Sequence, residues 1–293
     1  MNGILLLDKP AGWTSMDVCA KLRGALGEKR IGHGGTLDPM ATGLLVVFLG
    51  RATRAVEFAE SHSKTYEAAL RLGLTTDTQD ISGKPLSDTR PVTVTDAALE
   101  GVFARFRGDI SQVPPMYSAI KIKGQKLYTL ARRGREVERA PRPVTIHALD
   151  CLGRSPDGDI LMHVHCSKGT YIRTLCHDIG QALGCGGCMS ALRRTGCGDF
   201  SIARAHTLEE VLSAAGEGRA EALLLPVEAL FSGTERTVLT DAQAKRIRAG
   251  GRYSCPLPAG RWLLYDGAGA FLALGETAGG EMRAIKSFFE VEK

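Results

Sequence analysis

The run Leu44-Leu-Val-Val-Phe-Leu49 is apolar at every position and is closed by Gly43 and Gly50. It is too short for a buried helix, and its composition fits a strand covered on both faces, so the chain must supply packing layers above and below a sheet. It is also the longest apolar stretch in the chain, well short of the ~20 residues that a membrane-spanning helix needs. Ile4 to Leu7, ended by Asp8, is shorter than the apolar region of a signal peptide. A cytoplasmic protein is expected.

Other strands announce themselves by alternation. Tyr66, Ala68, Leu70 and Leu72 alternate with Glu67 and Arg71, the pattern of a half-buried strand, and Ile160, Met162, Val164 and Cys166 alternate with His163 and His165. Helices carry start and stop signals. Thr14-x-x-Asp17 makes a capping box ahead of Val18, Leu22 and Leu26, and Gly27 stops the run. Thr95 or Asp96 caps a segment with Leu99, Val102, Phe103 and Phe106 on one face, and Thr207-x-x-Glu210 opens another. After the turn Ser167-Lys-Gly169, Ile172, Leu175, Ile179 and Leu183 mark a helix that Gly184 ends. Strands and helices mix without strict alternation, which predicts an α+β fold with a mixed, mostly antiparallel central sheet flanked by helices.

Past Pro226 the texture changes. Thr240-x-x-Gln243 caps a short helix, and the runs Trp262 to Tyr265, Phe271 to Leu274 and Met282 to Phe289 are separated by Asp266-Gly267 and Gly279-Gly280 turns. The 293 residues suit about two domains, and the expected division is a large domain over 1–230 and a small β-rich module over 236–293.

The net charge of +5 is unevenly spread. Residues 121–142 hold eight Lys or Arg against two Glu, whereas 205–235 hold six Glu against one Arg. Tyr117, Tyr128, Gly124 and Gly134 interleave the basic stretch, the composition of a segment that binds a polyanion, and a nucleic-acid-gripping element is expected over 114–142. Eight cysteines are too sparse for a disulfide framework, so reduced thiols are expected. Cys185-Gly-Gly-Cys188 has metal-knuckle spacing but lacks the second pair of a zinc site, and it follows a helix rather than starting one as a redox centre would.

Three segments are unusual for plain scaffold: Gly32-His-Gly-Gly-Thr-Leu-Asp-Pro-Met-Ala-Thr-Gly43, Ser63-Lys-Thr-Tyr66 and Cys166-Ser-Lys-Gly-Thr-Tyr-Ile-Arg173. The glycines have neither the Lys-Ser/Thr ending of a P-loop nor the spacing of a dinucleotide fingerprint. Taken singly, Asp38 before Pro39 reads as a turn, His33 as a polar loop residue, Tyr66 as a strand-edge residue and Arg173 as a snorkelling cation. Taken together and in this order, with Gly3 to Pro10, Met116-Tyr-Ser-Ala119 and Leu192-Arg-Arg194, they resemble the TruB family of tRNA pseudouridine synthases over roughly residues 3–200.

That resemblance implies a pseudouridine synthase fold and the isomerisation of uridine 55 in the T-loop of tRNA. The reaction breaks the ribose–N1 bond of uracil, turns the base and rejoins it through carbon. With no net redox change and no phosphate transfer, it needs neither metal nor organic cofactor. The resemblance assigns the essential carboxylate to Asp38 and its ionising partner to Arg173. It gives Tyr66 the stacking on a flipped-out uracil and the removal of the ring proton. His33 would fill the vacated place in the RNA loop, Tyr171 and Leu192 would line the pocket, and Lys9 would support it. Lys121, Lys123, Lys126, Arg132 and Arg133 would grip T-arm phosphates. Gly34 departs from the family pattern, in which many members carry Thr. The C-terminal module is loosely similar to a PUA-like RNA-binding domain. With tRNA as its partner, the chain is expected to act as a monomer. The alternative of another class is an RNA chaperone that captures the T-arm and helps it fold, with catalysis secondary or lost.

Overall fold

The computed structural model describes residues 1–86, 91–122 and 124–289. Its large sheet is built from β1 (Gly3–Lys9), β2 (Ile31–His33), β3 (Thr42–Leu49), β4 (Lys64–Leu72) and β5 (Gly108–Gln112), then, after a small separate hairpin of β6 (Lys121–Ile122) and β7 (Gln125–Lys126), from β8 (Arg142–Arg154), β9 (Ile160–Cys166) and β10 (Gly187–Cys197). The order across it is β1, β3, β10, β4, β9, β8, β5, with β2 added beside β3 and His206–Thr207 beside β1. Along that order every pair is antiparallel except β3 with β10. The fold is the expected α+β arrangement with a mixed, mostly antiparallel sheet.

The unbroken apolar run is explained by two separate layers. Leu44, Val46 and Phe48 pack with Ala52, Ala55, Ala59 and Phe231, while Leu45, Val47 and Leu49 face α1 (Ser15–Leu26) through Val18, Cys19 and Leu22. At about 1.5–3 kcal/mol per buried Leu, Val or Phe, a charge at any of these six positions forfeits more than a surface ion pair returns. A short helix α2 (Val56–Ser61) covers one side. Further along, Tyr66, Ala68 and Leu70 of β4 join Met162 and Val164 of β9, Leu99 and Phe103 of α3 (Asp96–Phe106), and Leu175 and Ile179 of the helix Ile172–Ala182.

Caps set the helix boundaries. In α1 the Thr14 Oγ1 accepts from the Asp17 N–H at 3.0 Å and the Asp17 carboxylate accepts from the Thr14 N–H at 3.1 Å. Between β7 and β8 lies α4 (Leu127–Ala131), and with the β6–β7 hairpin it packs on a satellite core of Met116, Leu127 and Leu130. The helix Ile172–Ala182 is α5. A second, five-stranded sheet contains Arg236–Val238, Gly260–Tyr265, Phe271–Ala278, Glu281–Ser287 and Arg252–Ser254 in that spatial order. Its Leu263 and Leu274, with Phe288, pack into the same cluster as Val46 and Phe48. Among the described residues no helix is long and apolar enough to cross a membrane.

The central strand β10 carries no readable alternation, because register shifts between Met189 and Ala191 and between Arg194 and Gly196 move its side chains from face to face. Cys188 lies on it, fully buried, and Cys185 precedes it half-buried. Among the described residues no group of three or more His, Cys, Asp or Glu is placed to hold a metal ion.

Candidate active site

The segment between β2 and β3 carries Asp38, and its backbone is fastened on both sides of that residue. Ser15 Oγ accepts from the Leu37 N–H at 2.9 Å and donates to the Leu37 carbonyl at 3.1 Å. The Gly12 N–H donates to the Pro39 carbonyl at 2.8 Å, and the Ala41 N–H to the Asp38 carbonyl at 3.0 Å. Gly34 lies so close to α2 that a Cβ there would stand 2.6 Å from the Ala59 Cβ. The close helix accounts for glycine at this position, where a threonine would force the helix away. At Gly43, with φ +98°, a Cβ would meet the Arg194 carbonyl oxygen at 2.3 Å, so the end of the loop also tolerates no side chain.

Arg173 stands in the first turn of α5 with its side chain only 6% exposed. Its Nε faces the Asp38 Oδ2 at 2.9 Å. The Nη1 donates to the Thr78 carbonyl at 3.0 Å and the Nη2 to the Tyr117 carbonyl at 2.8 Å. The snorkelling alternative is thereby overturned: the guanidinium is a buried hub rather than a surface cation. A second carboxylate, Asp80, lies 3.8 Å from the Arg173 Nε. It is itself held by the Thr78 hydroxyl at 2.9 Å and the Ser82 N–H at 2.9 Å. Asp80 is sealed and Asp38 keeps about a third of its side chain open. The buried positive charge is thus matched inside by Asp80, and the accessible carboxylate is the one on the loop.

Tyr66 is 9% exposed and packs in one apolar cluster with Leu192 and with Leu37 and Ala41, which flank Asp38. Burial pushes its phenol up to about 12. Leu192 and Met40 line a cleft of about 320 Å³ together with Thr42, Glu67 and Arg193. Tyr171, half-buried, immediately precedes α5, and its phenol is raised by burial, with the Arg173 and Asp38 charges acting on it. His33 ends β2, half-buried, with a buried Nδ1 that has no hydrogen-bond partner among the described residues, and burial disfavours its protonation.

Lys9 is fully buried beneath the loop. Its ammonium donates to the carbonyls of Trp13 at 2.7 Å, Pro10 at 2.9 Å and Pro39 at 3.4 Å, so it braces the residue next to Asp38. Burial lowers it from 10.5 to about 8, against the pull of Asp38. Between these two values the unfolded chain holds the extra proton, so stability rises with pH across that window. In thermal denaturation from about pH 7 to about pH 10, the wild type is expected to gain Tm relative to Lys9→Met as the pH rises. A constant difference would mean that Lys9 does not titrate there.

Of the described cations at 121–142, Arg142 acts by its charge on the Tyr171 phenol. Lys121 and Lys126 are exposed on the hairpin and Arg132 and Arg133 in the turn that follows α4, and Lys126 and Arg132 sit 5.5 and 5.6 Å from the Tyr128 ring centre. Lys123 lies outside the described residues. A direct link from this stretch to the site is the Tyr117 carbonyl on Arg173. Two members of the site were not assigned a role from the sequence. Asp80 sits in Thr75-Thr-Asp-Thr-Gln-Asp-Ile-Ser-Gly83, which reads as an ordinary polar loop. Arg194 stands in a strand without alternation.

Residues 23–172 match the TruB family pseudouridylate synthase N-terminal domain, and residues 173–232 match the tRNA pseudouridylate synthase B C-terminal domain. The chain is 48% identical over 284 residues to tRNA pseudouridine synthase B of Azoarcus sp. (strain BH72), covering 97% of this chain and 93% of that protein. It is 44% identical over 262 residues to tRNA pseudouridine synthase B of Geobacillus thermodenitrificans (strain NG80-2), covering 87% of each. Among solved structures it is similar to a chain of a Cbf5-Nop10-Gar1 complex, with a TM-score of 0.75 and 27% identity over 98% of this chain and 85% of that one. It is also similar to a chain of an H/ACA RNP bound to a substrate RNA containing 2′-deoxyuridine, with a TM-score of 0.73 and 25% identity over 98% of this chain and 85% of that one.

Proposed function

The chain belongs to the TruB family of pseudouridylate synthases, and we propose that it isomerises uridine to pseudouridine at position 55, in the T-loop of tRNA. The observation that carries this reading is the pair of Asp38 and Arg173 at 2.9 Å, with the guanidinium sealed and the carboxylate partly open.

In this reading the target nucleotide is turned out of its loop, which costs on the order of a few kcal/mol. Stacking of the uracil on Tyr66 returns about 1–3 kcal/mol, and His33 occupies the place the base leaves. Asp38 drives the cleavage of the N1–C1′ bond while Arg173 holds its carboxylate in place and supplies a permanent opposing charge. Tyr171 and Leu192 border the base, and Lys9 keeps the Asp38 loop in register. After the base has rotated and C5 has joined C1′, Tyr66 takes the C5 proton. The partner in this reading is tRNA, on which the protein acts as a monomer.

The test is nucleoside chromatography of an unmodified tRNA transcript before and after incubation with the protein, since pseudouridine and uridine have the same mass but separate on a column. Absence of pseudouridine, or its undiminished formation in a transcript that carries cytidine at position 55, would refute the assignment. For the basic element, Lys121→Gln with Arg133→Gln is expected to weaken tRNA binding and to flatten its log–log salt dependence by about 0.7–0.9 for each phosphate that is no longer neutralised. An unchanged slope would return these residues to ordinary surface.

A further inference from the structure

Arg194 is the largest side chain sealed from solvent among the described residues, at 1% exposure. It stands opposite Tyr66 across the β10–β4 pair. Its Nε donates to the Leu44 carbonyl at 2.7 Å and its Nη2 to the Gly35 carbonyl at 3.1 Å. One guanidinium therefore ties together the start and the end of the loop that carries Asp38. As cross-strand partners, Arg194 and Tyr66 project from the same face of the sheet, and the guanidinium charge acts on the phenol.

The charges around Arg194 are unusual. No carboxylate among the described residues forms an ion pair with it, and its titratable neighbours include Lys9, His33 and Lys64, each of which it disposes to release a proton, and the Cys197 thiol. A buried guanidinium without an anionic partner is an expensive arrangement. A neutral side chain would fill the space at less cost, so the charge itself calls for an anion that forms beside it. Of the neutral groups under its charge that can become one, the Cys197 thiol is buried against Ala59, away from the Asp38 loop, and the Tyr66 phenol packs with the residues that flank Asp38.

We propose that Arg194 is a positioning residue that orients the Tyr66 hydroxyl and supplies the counter-charge for the phenolate that accepts the uracil C5 proton. This rests on the reading of Tyr66 as the group that takes up that proton. The phenol first loses its proton to solvent. Once C5 is bonded to C1′, the C5–H bond breaks and its proton passes to the phenolate oxygen. The electron pair left behind restores the C5–C6 double bond, the N1–C6 double bond becomes single, and the pair released onto N1 takes a proton from solvent. Burial opposes formation of the phenolate, and the adjacent cation works against that burial. Because the same guanidinium holds both ends of the Asp38 loop, phenol and carboxylate are set in one frame.

The test compares the wild type, Arg194→Met, Arg194→Lys and Tyr66→Phe in single-turnover conversion of tRNA transcripts carrying uridine or 5-deuterouridine, with filter binding and Tm measured alongside. Arg194→Met is expected to slow conversion by about 10²-fold, the contribution of a positioned proton acceptor, while tRNA affinity stays within a few-fold. The slowed reaction should show a primary isotope effect at C5, because proton removal has become the slow step. Arg194→Lys, which keeps the charge but not the reach, should fall less and show the same isotope effect. A slow Arg194→Met without an isotope effect would mean that the guanidinium only braces the loop, and an unchanged rate would mean it does neither. Either result overturns the proposal. If a collapsed Tm shows that Arg194→Met does not fold, Arg194→Lys alone decides by the same isotope criterion. Full activity of Tyr66→Phe would remove the underlying reading of Tyr66. An inactive Tyr66→Phe beside an isotope-silent Arg194 variant would remove only the part given to Arg194.

Discussion

Asp38→Asn is expected to abolish pseudouridine formation, lowering single-turnover tritium release from 5-tritiated tRNA by roughly 10⁴-fold or more, the scale on which single essential carboxylates and nucleophiles are lost in other enzymes. The amide keeps the shape of the carboxylate but has no charge with which to attack or to stabilise developing positive charge. The fold should tolerate it. The loop is held by Ser15, Lys9, Gly12 and its own backbone rather than by the Asp38 side chain. Arg173 keeps Asp80 and the Thr78 and Tyr117 carbonyls, so the guanidinium is not stranded. Affinity for tRNA should therefore stay within a few-fold, since the exposed cations of the hairpin and of the turn after α4 are untouched. This separates catalysis from capture: a protein whose work is folding the T-arm would retain its effect on tRNA in this variant, and unchanged turnover would take Asp38 out of the chemistry.

The elements that could be read from sequence are those whose signals are local. The Thr14, Thr207 and Thr240 boxes close within three residues, and the structure caps α1, the helix Leu208–Gly216 and the helix Asp241–Arg248 there. The run at 44–49 was readable because a strand sealed on both faces needs no alternation. β10 was not, since two bulges and a pair of arginines erase its period, and yet it is this strand that brings Arg194 to Tyr66. Arg173 shows the same limit from the other side. Nothing beside it in sequence distinguishes a hub from a snorkelling cation. Its partners at 38, 78, 80 and 117 lie on three separate loops that meet only when α5 docks on the sheet. The assignments of Asp38, Tyr66 and Arg173 came from the order of the motifs in a family resemblance. No spacing in the chain foretells the partners of Asp80 and Arg194.

Two substitutions at Arg173 divide its charge from its geometry. Arg173→Met leaves the sealed Asp80 carboxylate and two carbonyls without their partner, and breaking a buried pair from one side costs about 3–5 kcal/mol. The Asp38 side of the pair adds little to that figure because its carboxylate is partly open to solvent. For a chain of this size the loss corresponds to a fall in Tm of about 5–8 °C. Arg173→Lys restores a positive charge near Asp80 and should recover most of that stability. An ammonium is a single point of donation, however, and cannot face Asp38 and Asp80 while also reaching the carbonyls of Thr78 and Tyr117, as the planar fork does. Asp38 then loses its fixed orientation toward the ribose. The lysine variant is expected to bind tRNA normally and to melt within a few degrees of the wild type, while its single-turnover rate falls by about 10²–10³-fold, the usual consequence of removing one preorganised electrostatic partner. A lysine variant with near-wild-type turnover would show that charge alone suffices and that the fork has no part in catalysis.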